Sequence, residues 1–185
     1  MPPDQATTIT APVKVWDAFV RLFHWLLVAC VVLDLWVLDD GGMPHEWVGH
    51  VATALVLARI AWGFVGSRHA RFTDFWPTPT RLRAHLAELR QARISGHYPA
   101  HVGHNPLGAL MMLALMGLVL LLGLTGWLQT TDMFFGLAWL QEGHEWLANG
   151  LLLAAGLHAA AALLMGRLER VNLVRAMLTG VKRPV

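Results

Sequence analysis

His24, His45, His144 and His158 all fall within, or at the ends of, long apolar stretches of this 185-residue chain. An ionisable side chain is costly inside a bilayer, and its presence there points to function. By depth the four sort into two pairs, each bridging two different stretches. Two imidazoles facing each other across a helical bundle are the ligand set of a six-coordinate haem iron, so two pairs provide for two haems. The interval between His144 and His158 is fourteen residues, which is about 3.9 helical turns and roughly 21 Å. Both rings then leave one face of a single helix, and that helix can supply one axial ligand to each of two stacked haems. The single cysteine, Cys30, cannot make an intrachain disulfide, a C-x-x-C-H attachment or a four-thiolate cluster. Any haem is therefore held non-covalently, as haem b, and Cys30 reads as a buried thiol.

His50 competes with His45 for a place in the second stretch, because it lies five residues on, rotated by about 140° and somewhat deeper. On spacing alone either is open as the ligand, and His50 has a haem propionate or a quinone as its other uses. Propionates need cations. Arg21 and Arg59 are the candidates for that contact, with Arg68 and Arg71 behind them, and Arg59 is the costliest of these to bury. His104 and Asn105 precede Pro106 and are candidate hydrogen-bond partners for a quinone carbonyl, although Asn105 fits a helix N-cap equally well. Asp34 is open as a proton relay or as a group reaching the membrane interface. His69, His85, His97 and His101 belong to a polar connection and are expected to be solvated.

Four helices must position these groups. The chain is 56% hydrophobic and only 14% charged, where a soluble domain carries about a quarter charged residues. Its apolar stretches each approach the ~20 residues that cross the hydrocarbon, and without water the backbone must bond to itself. Helices are expected at about 16–38, 46–66, 106–128 and 143–166. The first is too long for a signal peptide and has no basic run before it. The fold expected is all-α: a single domain over 1–185, an integral membrane four-helix bundle enclosing two b-type haems. Residues 1–12 read as a loose leader. The connection between the second and third helices, about 40 residues, is too long for a simple loop. Within it, about 80–94 reads as an amphipathic helix on the inner leaflet, with Leu82, Leu86, Leu89 and Ile94 near one face. Residues 133–140 are apolar but too short to span, and are expected to rest on the outer interface beside Trp139 and Trp146.

Charge sets the orientation. Lys14, Arg21, six arginines between 68 and 93, and a basic tail from Arg167 to Arg183 all lie on one side. The first and third connections hold Asp39, Asp40, Glu46, Asp132, Glu142 and Glu145 and no Lys or Arg. Basic segments stay inside, which puts both termini in the cytoplasm. His24 and His158 then pair in the inner half of the membrane and His45 and His144 near its outer surface.

The motifs VWDAFVRLFHW (15–25), HEWVGH (45–50), WGFVGSRHARF (62–72), GHNPLGA (103–109) and HEWLANGLLLAAGLH (144–158) cover nearly the whole chain. In that order they resemble the bacterial cytochrome b561 family, including the b-type cytochrome subunits of nickel–iron hydrogenases and of related dihaem systems. The resemblance implies that His24, His45, His144 and His158 are the haem ligands, with His45 preferred to His50. It also implies a bacterial inner membrane, a quinone as substrate, and a redox protein outside. The expected function is a dihaem cytochrome passing electrons between a periplasmic redox protein and the quinone pool, as an electron-transfer subunit or a quinone-linked oxidoreductase. Lipid surrounds it, no nucleic acid is involved, and the acidic outer connections call for a basic partner such as a c-type cytochrome. Within the fold the rival is a self-contained superoxide:quinone oxidoreductase, against which the same acids weigh. A histidine-lined metal-ion transporter is the rival of another class, and a passive membrane anchor is a third. Zinc, however, prefers one compact tetrahedral set, and an anchor leaves the histidines without purpose.

Overall fold

The computed structural model describes residues 11–38 and 41–183. Most of the expected leader, with Asp39 and Asp40, lies outside the described residues. In chain order the elements are β1 (Val13–Lys14), α1 (Ala18–Trp36), α2 (Met43–Val65), a short 3-10 turn (Arg68–Ala70), α3 (Phe72–Phe75), α4 (Pro79–Ser95), α5 (Pro106–Gln129), α6 (Ala138–Leu168), α7 (Leu173–Thr179) and β2 (Val181–Lys182). Four of them, α1, α2, α5 and α6, are long and apolar enough to cross a membrane. They leave Leu22, Trp36, Leu57, Phe64 and Leu153 exposed. A surface this apolar suits hydrocarbon and not water. The protein is an all-α membrane protein, with one two-stranded tie added.

Local chemistry explains where the helices begin and end. The Asp17 carboxylate accepts from the Val20 N–H at 2.8 Å, an N-cap that starts α1 two residues after the position expected from hydropathy. Asn105 does the same for α5, its Oδ1 accepting from the Gly108 N–H at 2.7 Å, and Pro106 sits at the first helical position. The clearest departure is α6. It begins at Ala138, so the latter part of the expected interfacial stretch 133–140 is the first turn of the spanning helix. Gly136, at φ +74°, breaks the chain just before it.

The helix expected at about 80–94 is observed as α4. Thr78 caps it, accepting from the Arg81 N–H at 3.3 Å, and Gly96 closes it at φ 71°. Leu86 and Ile94 are exposed, whereas the buried residues are His85 and Ala92.

The chain divides into two compact units. The first comprises the described parts of Met1–Arg21, Trp62–Met111 and Leu157–Val185, and the second Leu22–Ala61 and Met112–Gly156. In the first unit, β1 pairs antiparallel with β2, Val13 opposite Lys182. Gly180 caps α7 at φ 81°, and its carbonyl accepts from the N–H groups of Val15 (2.8 Å) and Trp16 (3.1 Å). A core of Val15, Trp16, Val20, Ala70 and Ala176 forms beneath. Asp17 Oδ2 accepts from Trp62 Nε1 at 3.0 Å and from the Ser67 hydroxyl at 2.6 Å. Lys182, buried, donates to the carbonyls of His101 (2.6 Å) and Gly103 (3.1 Å). Burial pushes its ammonium down to about 8, with Glu169 pulling it back. Burial likewise pushes the Glu169 carboxyl up to about 7, with Lys182 opposing and Glu88 adding to the rise.

Candidate functional site

The second unit brings two of the four expected histidines together, ring edge toward ring face. His45, from the first turns of α2, and His144, from α6, have ring centroids 6.3 Å apart and an interplanar angle of 71°. An imidazole bound to a metal at about 2 Å through one nitrogen has its centroid about 3 Å from that metal. Two rings on opposite sides of one ion therefore stand roughly 6 Å apart. The observed separation fits a bis-imidazole iron.

The Nδ1 of each ring faces an oxygen on a neighbouring helix. His45 Nδ1 lies 3.6 Å from Asp34 Oδ1, on α1. His144 Nδ1 lies 2.8 Å from the Thr125 hydroxyl, on α5. That hydroxyl has one hydrogen, and the Leu121 carbonyl accepts it at 2.8 Å. Toward His144 the Thr125 oxygen is then an acceptor, so His144 carries its proton on Nδ1 and its lone pair on Nε2. At 3.6 Å the Asp34 carboxylate is near His45 Nδ1 but not hydrogen-bonded to it. His144 thus offers the nitrogen that a metal needs, with its second nitrogen anchored in the way ligating histidines usually are. α5 passes close beneath: a Cβ at Gly126 would stand 3.3 Å from the His144 ring, so glycine makes room for that imidazole.

The other sequence-derived candidates are placed as follows. His24 lies on α1 in the second unit and His158 on α6 in the first, each half-buried; His24 packs edge-on to Trp25 at 5.1 Å. His50 is exposed, and its Nδ1 is 2.6 Å from the Glu46 carbonyl one turn back on its own helix. Arg59 is 1% exposed, an unusual position for a guanidinium. Arg21 gives Nη1 to the Leu178 carbonyl at 2.7 Å, tying α1 to α7. Arg68 reaches Asp74 at 3.7 Å from an exposed position. His104 is packed between Trp16 (4.6 Å) and Phe75 (4.8 Å), while the side-chain oxygen of Asn105 serves the helix cap. Cys30 is a buried free thiol.

Two expectations need correction or completion. His85 and His101 are buried, at 4% and 9% exposure, where solvated side chains were expected. The fold turns the protein-facing side of α4 onto the loop before α5, and hydropathy cannot register that contact. Thr125 escaped the sequence reading altogether. A threonine within an apolar helix one turn below Gln129 was the available signal, and it points to a polar partner on a neighbouring helix.

Residues 15–180 match the sequence model of a family described as Prokaryotic cytochrome b561. Among similar proteins, a "Probable Ni/Fe-hydrogenase B-type cytochrome subunit" of Azotobacter vinelandii is 27% identical, over 54% of this chain and 51% of its own length. One of the same description from Azotobacter chroococcum mcd 1 is 28% identical over the same shares. Another, from Rhodobacter capsulatus, is 24% identical over 91% of this chain and 80% of that protein. The chain thus spans about half the length of the first two relatives. No solved structure matches it.

Proposed function

Because the chain belongs to the prokaryotic cytochrome b561 family, we propose that it is a dihaem b-type cytochrome carrying electrons through a bacterial inner membrane. Its two ends serve a quinone and a redox protein at the opposite face. The observation that carries this reading is the His45–His144 pair, 6.3 Å between ring centroids, with Nδ1 of each ring facing a carboxylate or bonded to a hydroxyl.

His45 and His144 would hold one haem b, and His24 and His158, by depth and family match, the other. Bis-imidazole haem, when bound, supplies one-electron transfer with no coordination position left for oxygen. The chain's residues do the positioning. Thr125 fixes the tautomer of His144, the Asp34 carboxylate lies beside His45, and Gly126 admits the His144 ring. Arg59, buried, is assigned to a propionate in preference to Arg21, whose Nη1 is committed to the Leu178 carbonyl. His104, clasped by Trp16 and Phe75, is the quinone contact we favour over Asn105, whose oxygen caps α5. Basic residues on one set of connections support cytoplasmic termini. The relatives named as hydrogenase B-type cytochrome subunits support a redox subunit as the electron partner, and the acidic connections support a periplasmic, basic c-type cytochrome as the alternative.

Purified protein should show two haem b per chain in a pyridine haemochrome assay. His144→Ala should show one, and a soluble quinol should reduce the wild-type haems in stopped-flow mixing. Absence of haem in the wild type would remove the proposal, and an unchanged content in His144→Ala would remove the ligand assignment.

A further inference from the structure

Two buried histidines in the first unit take no part in the paired imidazoles described above. His85 and Glu88 stand three residues apart on α4, on one face of that helix. His101 belongs to the loop leading to α5. One carboxylate oxygen, Glu88 Oε2, lies 2.9 Å from His85 Nδ1 and 3.3 Å from His101 Nε2. The two rings meet edge to face, centroids 5.1 Å apart. The donor atoms of all three residues fall within 4.8 Å of one another.

Two imidazole nitrogens and one carboxylate oxygen are a donor set for a borderline divalent cation. Zinc holds such donors at about 2.0–2.2 Å, which spaces them roughly 3.3–3.5 Å apart in a tetrahedron. The observed cluster lies within side-chain adjustment of that arrangement, with the fourth position left to water. Its surroundings are built rather than loose. Lys182 clamps the loop through the carbonyls of His101 and Gly103, at 2.6 and 3.1 Å. Glu169, buried at 8% exposure, adds a second carboxylate whose charge Glu88 opposes.

We propose that His85, Glu88 and His101 form a site for one divalent transition-metal cation, with zinc the ion of best fit, stapling α4 to the loop that opens α5. The site is separate from the four haem-ligand candidates, and zinc binding is read without electron transfer, so it stands or falls apart from the haem assignment.

The test uses the protein as purified in detergent, freed of adventitious metal and titrated with Zn2+ against a chromogenic chelator. One zinc per chain should bind more tightly than about 10 μM. Glu88→Gln, which keeps the side-chain shape, and His101→Ala should each weaken binding by about 100-fold or more. His97→Ala, at an exposed position in the same loop, should leave it unchanged. Co2+ in place of zinc should give the strong visible absorption of a four-coordinate ion in the wild type and lose it in Glu88→Gln. Melting temperature is followed alongside, and should His101→Ala fail to fold, Glu88→Gln decides. A wild type without a tight site, or a Glu88→Gln variant that binds as the wild type does, overturns the proposal and leaves the cluster a hydrogen-bonded tie.

Discussion

A carboxylate facing the far nitrogen of a ligating imidazole makes that ring a better electron donor and favours the oxidised metal. Asp34, 3.6 Å from His45 Nδ1, occupies that position, and Thr125 is the weaker, neutral counterpart on His144. Asp34→Asn should therefore retain both haems and move the midpoint potential of one of them upward in a spectroelectrochemical titration. Thr125→Val, which keeps the volume but removes the acceptor, should lower haem affinity about 10-fold or more. Wild-type potentials and affinity in both variants would mean that the two residues do not orient the ligands. His50→Ala should retain two haems, because its ring is exposed and bonded to its own helix, whereas His45→Ala should lose one. Spacing alone left His45 and His50 open, and the family resemblance preferred His45. The partnership with Asp34 was hidden, since it depends on the register of two helices across their connecting turn. Thr125 was hidden for the same reason, one helix further on.

Elements built by hydropathy were the most legible, because lipid forces the backbone into helices of a known minimum length. Their ends were less so. α6 starts where Gly136 allows the chain to turn, at φ +74°, and not where the apolar run resumes, so Trp139 and Leu140 belong to the helix. Least legible was the first unit's tie between β1 and β2. It joins Val13 and Lys14 to residues some 170 positions later, and no local pattern encodes that contact. Two glycines with similar backbone angles test what holds it. Gly96, at φ +71°, has open space where a methyl group would project, whereas at Gly180, φ +81°, a Cβ would stand 2.6 Å from the Trp16 carbonyl. Gly96→Ala should cost about 1 kcal/mol through conformation alone, and Gly180→Ala roughly 2–3 kcal/mol, since backbone must shift as well. Thermal unfolding in detergent would compare them, and equal shifts would show that the Gly180–Trp16 approach is not a constraint. α6 carries both His144 and His158, so His158→Ala should remove a haem spectrally distinct from the one that His144→Ala removes. Identical residual spectra would return the two histidines to a single haem.

Across the whole molecule charge is divided as sharply as hydropathy. Arg59 is the one Lys or Arg in residues 22–61 and 112–156, and it is buried. Those same segments hold Glu46, Asp132, Glu142 and Glu145, all exposed; Asp39 and Asp40, which join them in sequence, lie outside the described residues. The exposed acids of this unit therefore have no basic neighbour within it, and the field around them is negative. A field of that sign draws in a positively charged redox protein and speeds its encounter, an effect that weakens as salt shortens the Debye length. It also works against an anionic substrate such as superoxide. Orientation can be checked first, by labelling single cysteines introduced at Asp132 and at Arg90 from outside intact spheroplasts: the first should react and the second should not. With that settled, the combined variant Glu46→Gln, Asp132→Asn, Glu142→Gln and Glu145→Gln should slow electron exchange with a basic c-type cytochrome by about 10-fold or more at low ionic strength. It should also flatten the salt dependence and leave haem content as it was. Stopped-flow oxidation of the reduced protein across a salt series reads all of this, after a native gel has shown whether the chain is bound to other subunits that screen these acids. A rate indifferent both to salt and to the four substitutions would mean that docking is governed by shape and apolar contact, and the acidic surface would lose its assigned role.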